Sequence, residues 1–296
     1  MVSLLTQTDE LCSIEISTSG IAVACTSNQD NPKVTLCSFH PCQQSNDKIK
    51  QCLMDIVLQN NLKKMRCCWV LHPDQYRLII VNTPNVPKIE YKNAIRWQIK
   101  GIINYPLEDT SVEVFGPNES ERNAKKIYAV AAQSSFLQNI VNIIQECNLQ
   151  SVAVDIREFA IRNLITKLDI ENEPVGFLDI VNESCLLVIA HQKYIRFTRR
   201  VPFGFKELKT GNYDELTNEL QRSFNYCLTE LKQKIPVNFF IAPSVDINAN
   251  IAQNLAEHLD KKVSILNLQK ILPFNVPINL ETETRCWAVV GGALRK

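Results

Sequence analysis

The sequence is short of anything that would send it to an obvious partner. Its 296 residues carry 32 Lys and Arg against 31 Asp and Glu, a net charge of +1, so no overall field steers it toward nucleic acid or a lipid surface. The longest apolar runs, such as CLLVIA at 185–190, are strand-sized and well below the ~20 residues of a membrane-spanning helix. The opening MVSLLTQTDE has no basic segment followed by an apolar one, so no secretory signal is expected. A cytoplasmic location follows as the expectation, with any attachment to a membrane made through another protein. There is no CxxC pair, and His40, His72, His191 and His258 are scattered, so no zinc-type quartet forms. Nor is there a Ser/His/Asp or Cys/His arrangement to support another enzyme class. The eleven cysteines are an odd number and sit mostly in apolar patterns (Cys25, Cys37, Cys52, Cys147, Cys227), as reduced thiols used for small core positions. Adjacent Cys67 and Cys68 point to opposite faces of a strand.

What is present is a repeated order of elements. Three strand-like runs, 12–16, 20–26 and 33–39, lead into a helix capped at Ser45 or Asn46 with Ile49, Cys52, Leu53, Ile56 and Val57 on one stripe; the strand CCWVL (67–71) follows. From Pro174 the order recurs. VGFLDIV, CLLVIA and YIRFTR are strands, a helix carries Leu216, Leu220, Phe224, Cys227 and Leu231, and VNFFIA is the next strand. A helix with Ile251, Leu255 and Leu259 and the strand KKVSIL complete it. Two similar α/β lobes are expected, the first hairpin of each facing the cleft between them.

Between them lies an inserted unit at 77–150, with a strand YRLIIV, a helix from Glu90 to Asn104, strands near 111–115 and 126–132, and an amphipathic helix from Ser134 to Cys147. The domain reading is therefore a first lobe at 1–76, completed by 151–173, an insert at 77–150, and a second lobe at 174–296. RCWAVVGGALRK reads as a terminal helix interrupted at Gly291-Gly292, where close backbone packing is the expected reason.

The phrases AIRWQIKGIINYP, VAVDIREFAIRNL, LTNELQRSFNYCL and AVVGGALR, in that order along the chain, resemble PilM-type type IV pilus biogenesis proteins, and among them the MSHA-pilus, MshI-like branch. The resemblance implies an actin-like, FtsA-like fold of two lobes, each RNase H-like, with a small domain inserted in the first. It also implies a cytoplasmic adaptor, peripheral at the inner membrane. Such an adaptor holds the N-terminal cytoplasmic tail of a PilN-like single-span protein between the first lobe and the insert. The pilus motor ATPase and self-association are further partners on this reading; nucleic acid is not.

The hairpin CSIEISTSGIAVACTS raises the question of nucleotide. A hydroxyl-rich turn after an acid is where several ATP-binding folds hold phosphate. Family members that bind ATP place glycine there, so that backbone N–H groups close on phosphate without a Cβ in the way. Here Glu15 is followed by Ile16, Ser17, Thr18 and Ser19. In the second hairpin Asp179 keeps the acid, but Val181 and Asn182 follow. The loop that would approach adenosine carries Ala242 and Pro243 in place of paired glycines, and proline also removes a donor. A degenerate cleft is expected, with no catalytic residue, no metal and no cofactor; ATP with magnesium is the disfavoured alternative. That alternative would make the chain an actin-like ATPase. A type II secretion GspL-like cytoplasmic domain is a further one, though there the chain runs on into a membrane span and this sequence ends at Lys296. For the partner tail, Trp97 falls opposite the helix stripe Tyr91, Ile95, Ile99 and Ile102. It is read as a groove anchor, with Ile103, Tyr105 and Pro106 shaping the same groove.

Overall fold

The computed structural model describes residues 10–27, 30–43, 45–116, 126–170 and 172–296, so the opening MVSLLTQTDE lies, apart from Glu10, outside the described residues. Strands β1 (Leu11–Ser17), β2 (Gly20–Ser27) and β3 (Lys33–Pro41) form an antiparallel meander. The two-residue period of β1 sends Cys12, Ile14 and Ile16 to one core and Ser13 and Glu15 to the opposite face. Ser45 caps α1 (Asn46–Gln59) by accepting the Lys48 N–H, and α1 buries Ile49, Leu53, Ile56 and Val57 on the Cys12 side. Strand β4 (Arg66–Leu71) then runs parallel to β1.

The chain leaves this sheet to build a small one. Strands β5 (Arg77–Asn82), β6 (Thr110–Phe115) and β7 (Lys126–Gln133) pair antiparallel in the order β5-β7-β6, and α2 (Tyr91–Gln98) lies on one face. Its Ile95 and Ile99 meet Val112, Ala129 and Ala131. The helix expected to reach Asn104 stops at Gln98. Beyond it the Lys100 and Ile102 N–H groups reach back only three residues, to Trp97 and Ile99, and this tighter winding turns Ile102 into solvent, 55% exposed. Ile103 packs on the small core in its place.

Helix α3 (Ser134–Glu146) returns the chain to the first sheet, where β8 (Gln150–Ile156) pairs parallel with β4 and α4 (Arg157–Ile165) follows. Ile140, Ile143 and Ile144 of α3 join Leu53 and Ile56 in the first core, so α3 packs on the first lobe and not, as expected, within the insert.

The second half repeats the plan. It comprises β9 (Val175–Ile180), β10 (Cys185–His191), β11 (Tyr194–Val201), α5 (Phe205–Lys209), α6 (Asp214–Thr229), β12 (Asn238–Ile241), α7 (Ala249–Leu259), β13 (Lys262–Ile265), α8 (Leu268–Ile271) and α9 (Leu280–Ala293). The sheet orders are β3-β2-β1-β4-β8 and β11-β10-β9-β12-β13, the same arrangement twice.

Between the sheets lie α4 and α9. Ile161 and Leu164 of α4 and Trp287 and Val290 of α9 share one core with Ala22 and Ala24 of the first sheet and Phe177 and Val188 of the second. The last helix of the chain is thus built into the first sheet's far face. It is not interrupted at its glycines. A Cβ at Gly291 would stand 2.4 Å from the Ala160 carbonyl oxygen, and one at Gly292 2.3 Å from Ser13 Oγ, so only glycine lets α9 lie this close to α4 and β1.

Candidate functional site: two clefts

Strands β1 and β9 hold equivalent central places in their sheets, and this brings Glu15 and Asp179 to face each other across the interlobe cleft, both buried. Arg157, the first residue of α4, fills the space between them. Its Nε lies 2.7 Å from Glu15 Oε1, Nη2 3.0 Å from Glu15 Oε2, and Nη1 3.0 Å from Asp179 Oδ2. The fork geometry of guanidinium makes both ends of this bridge charge-assisted. Trp287 backs it, 5.2 Å from the guanidinium to the ring centroid. Burial opposes the Arg157 charge, but Glu15 and Asp179 more than offset it and hold its pKa above the ordinary value. Two carboxylates in a cleft could organise a divalent cation; here a side chain of the chain itself occupies that role.

The surrounding groups are also engaged. Tyr76 Oη donates to Glu158 Oε2 at 2.6 Å, and burial raises the Glu158 pKa. His72 Nδ1 lies 3.0 Å from Asp74, yet burial and then the Arg157 charge lower the imidazole pKa.

The three loops singled out in the sequence make contacts within the chain. Ser17 and Ser19 hydroxyls meet at 2.9 Å, and Arg285 donates to Ser19 Oγ at 2.9 Å; Thr18 is exposed beside them. In the second hairpin the Val181 N–H closes the turn on Ser184 O, while the Val181 and Asn182 carbonyls accept the Phe205 and Lys206 N–H groups at the start of α5. Gly204 permits that docking, since a Cβ there would stand 2.1 Å from Val181 O. The Ala242 N–H donates to Leu178 O, and Ala242 and Pro243 are buried. Sequence reasoning brought out both acids but missed Arg157. The signal was an arginine opening a helix directly after a strand, VAVDIREF, in a chain with two acids at equivalent hairpins.

A second cleft lies between the inserted sheet and the first sheet. It is a cavity of about 590 Å³ with an aliphatic wall that includes Leu71, Val130, Leu137 and Val152, and with Asp155, Arg162, Arg295 and Lys296 among its other lining residues. Among the described residues β6 pairs only with β7 and β8 only with β4, so two strand edges border it. The alternation that sends Val112, Ala129 and Ala131 to α2 sends Ser111, Glu113, Val130 and Ala132 to this cleft.

The residues expected to shape a groove lie apart from this cleft. Trp97 is 67% exposed on the outer side of α2, with the small sheet between it and the cleft. Ile103 belongs to the core on the α2 side, Tyr105 is half-buried with burial raising its pKa, and Pro106 is exposed with its carbonyl accepting from Thr110 Oγ1. None of the four lines the cleft.

Two sheets of identical order, a helical pair between them and a small inserted sheet define an actin-like fold. Solved structures agree. A structure of the PilM-PilN type IV pilus biogenesis complex matches with a TM-score of 0.74 over 98% of both chains at 16% identity. The cytoplasmic domain of EpsL, an inner-membrane component of the type II secretion system of Vibrio cholerae, matches with 0.52 over 95% of both at 9% identity. An actin-like ATPase-fold protein of unknown function from Bacteroides thetaiotaomicron gives 0.53 at 9% identity over 97% of this chain and 99% of that one. The sequence model of the type IV pilus assembly protein PilM family spans residues 43–264, and the chain belongs to that family. No curated protein sequence matches it. Among the described residues no helix is long and apolar enough to cross a membrane.

Proposed function

We propose that this protein is a non-hydrolysing adaptor of type IV pilus biogenesis that stands in the cytoplasm at the inner membrane by holding the N-terminal cytoplasmic tail of a PilN-like protein. The observation that carries the reading is the contrast of the clefts: one is filled by the Glu15–Arg157–Asp179 bridge, the other is open, has an aliphatic wall and, among the described residues, is bordered by two strand edges. An extended tail fits the second. Edge N–H and C=O groups fix its register, and Val130, Val152 and Leu137 receive apolar side chains. The structure of a PilM-PilN complex over the same fold supports that class of partner. Service to an MSHA-type pilus rests on the sequence phrases, and contact with a motor ATPase or a second copy is left to other surfaces.

The test is a pair of calorimetric titrations, one with Mg·ATP and one with a synthetic tail peptide. Peptide binding without nucleotide turnover supports the reading. Turnover lost on Glu15→Gln or Asp179→Asn would replace it with an ATPase.

A further inference from the structure

A cavity of about 680 Å³ adjoins the tail cleft and shares Arg162 and Lys296 with it, but Asp155 and Glu113 of the tail cleft do not line it. Lys88, after β5, and Lys193 of the β10–β11 turn line it, and with Arg162, Lys167 and Lys296 they make five cations in its walls. No carboxylate lines it among the described residues. Lys296 reaches Asp30 at 3.3 Å, Arg162 donates to Asn163 Oδ1, and Lys193 Nζ lies 5.2 Å from the Tyr194 ring centroid. Burial lowers the pKa of Lys167, and neighbouring Lys296 lowers it further against Asp30; burial lowers that of Arg162 against Asp155, with Arg295 adding to the lowering. These cations share the cavity with apolar residues that include Phe115, Phe159 and Ile195.

The loop that carries Lys88 also carries Val86, 37% exposed, and Ile89, 88% exposed. Single exposed aliphatics are ordinary, but two on a loop at the mouth of a cationic cavity match the make-up of a peripheral membrane site. The tail of a single-span inner-membrane protein is the wrong occupant, because its cytoplasmic flank carries an excess of Lys and Arg. We propose that this cavity takes the phosphate-bearing headgroup of an anionic phospholipid, with Val86 and Ile89 entering the acyl boundary. The near-zero net charge does not oppose this, since membrane attraction acts on the local cluster within a Debye length. The inference rests on the adaptor reading only in placing the protein beside a membrane. Stable attachment takes two signals, and headgroup and protein tail supply one each.

The experiment is co-sedimentation of the full chain, without partner, on vesicles of phosphatidylcholine alone or mixed with phosphatidylglycerol. Binding is expected only to the mixed vesicles and falls as salt is raised. Each membrane-facing lysine supplies about fivefold in partition, so Lys88→Ala with Lys193→Ala lowers it about twenty-five-fold. Ile89→Ser lowers it severalfold with charge unchanged, and Lys63→Ala, on the first lobe, leaves it alone. All four side chains are exposed, so the variants fold. Absent binding, equal binding to both vesicles, or an equal loss in the Lys63→Ala variant would overturn the proposal. Saturable binding of glycerol 3-phosphate without vesicle retention would also overturn it, assigning the cavity to a free phosphate compound. Tail-peptide affinity measured on the same sample reports separately on the adaptor reading.

Discussion

The two clefts sit on one framework and differ in what fills them. The interlobe cleft is polar and closed: two buried carboxylates and the half-buried Arg157 satisfy each other, and the loops around it are tied to their neighbours. The cleft beside the inserted sheet is open, with an aliphatic wall and, among the described residues, two strand edges without a neighbouring strand. A buried charge must be compensated, whereas an open groove with strand edges can take a partner. The difference teaches where the fold spends its polar groups: inward, to hold the lobes together across β1, α4 and β9.

Removing the compensation is the largest perturbation that tests this. Arg157→Ala leaves Glu15 and Asp179 buried and unpaired, and a broken buried ion pair typically costs about 3–5 kcal/mol. Thermal unfolding should show that loss. Replacing all three together, by Glu15→Gln, Arg157→Met and Asp179→Asn, should recover most of it. If Arg157→Ala is instead as stable as the parent, the bridge does not hold the lobes.

Next in size is Gly291→Ala. Alanine gains about 1 kcal/mol in helix propensity, but its Cβ would stand 2.4 Å from a backbone oxygen of α4, and overpacking of this kind costs about 1–3 kcal/mol. A net loss in urea unfolding is expected, whereas Gly101→Ala, with nothing within 4 Å of the new Cβ, should change stability by less than about 0.5 kcal/mol. Equal effects would mean that α4 and α9 are not in close contact.

The open cleft is tested by Val152→Arg. Val152 is 43% exposed in its wall, so stability should hold within about 0.5 kcal/mol while tail-peptide affinity falls tenfold or more, about 1.4 kcal/mol. Unchanged affinity would move the tail elsewhere.

The pH dependence of the closed cleft runs through His72. Burial and Arg157 hold its folded pKa below the ordinary 6.5, so the unfolded chain binds the proton first as pH falls. Stability from neutral His72 is present in full above pH 6.5 and is lost as pH falls through the folded value. His72→Gln should flatten that part of a stability-against-pH curve; an unaltered slope would place the titration in another group.

Much of this was legible in the sequence, for reasons of periodicity. The two strand-strand-strand-helix-strand runs could be read because each element shows one buried face, as with Ile49, Leu53, Ile56 and Val57 of α1. Where the reading failed, long-range contact decided. An amphipathic stripe such as that of α3 shows that a core exists but not which one, and α3 joined the first lobe. The Gly291-Gly292 pair costs helix propensity locally, and only the approach of Ala160 and Ser13 explains why the helix runs on through it. Arg157 escaped notice because its partners lie 142 and 22 residues away.

Trp97 gives the smallest expected effect and the sharpest check on which face binds. Its helix stripe leaves it on a polar surface, and sequence alone cannot distinguish a groove wall from the outside of the insert. In the fold, α2 and the sheet β5-β7-β6 stand between Trp97 and the cleft, and the one contact of note is Lys100 Nζ, 5.8 Å from the ring centroid. An exposed cation–π pair is worth about 0.5–1 kcal/mol, so Trp97→Ala should lower stability by no more than that. Tail-peptide affinity should stay within about twofold, because a tail held between β6 and β8 never reaches the outer face of α2. Both quantities are read from one sample, by thermal unfolding and calorimetry. A tenfold loss of affinity at full stability would show that the tail wraps the insert and that the open cleft is not its seat.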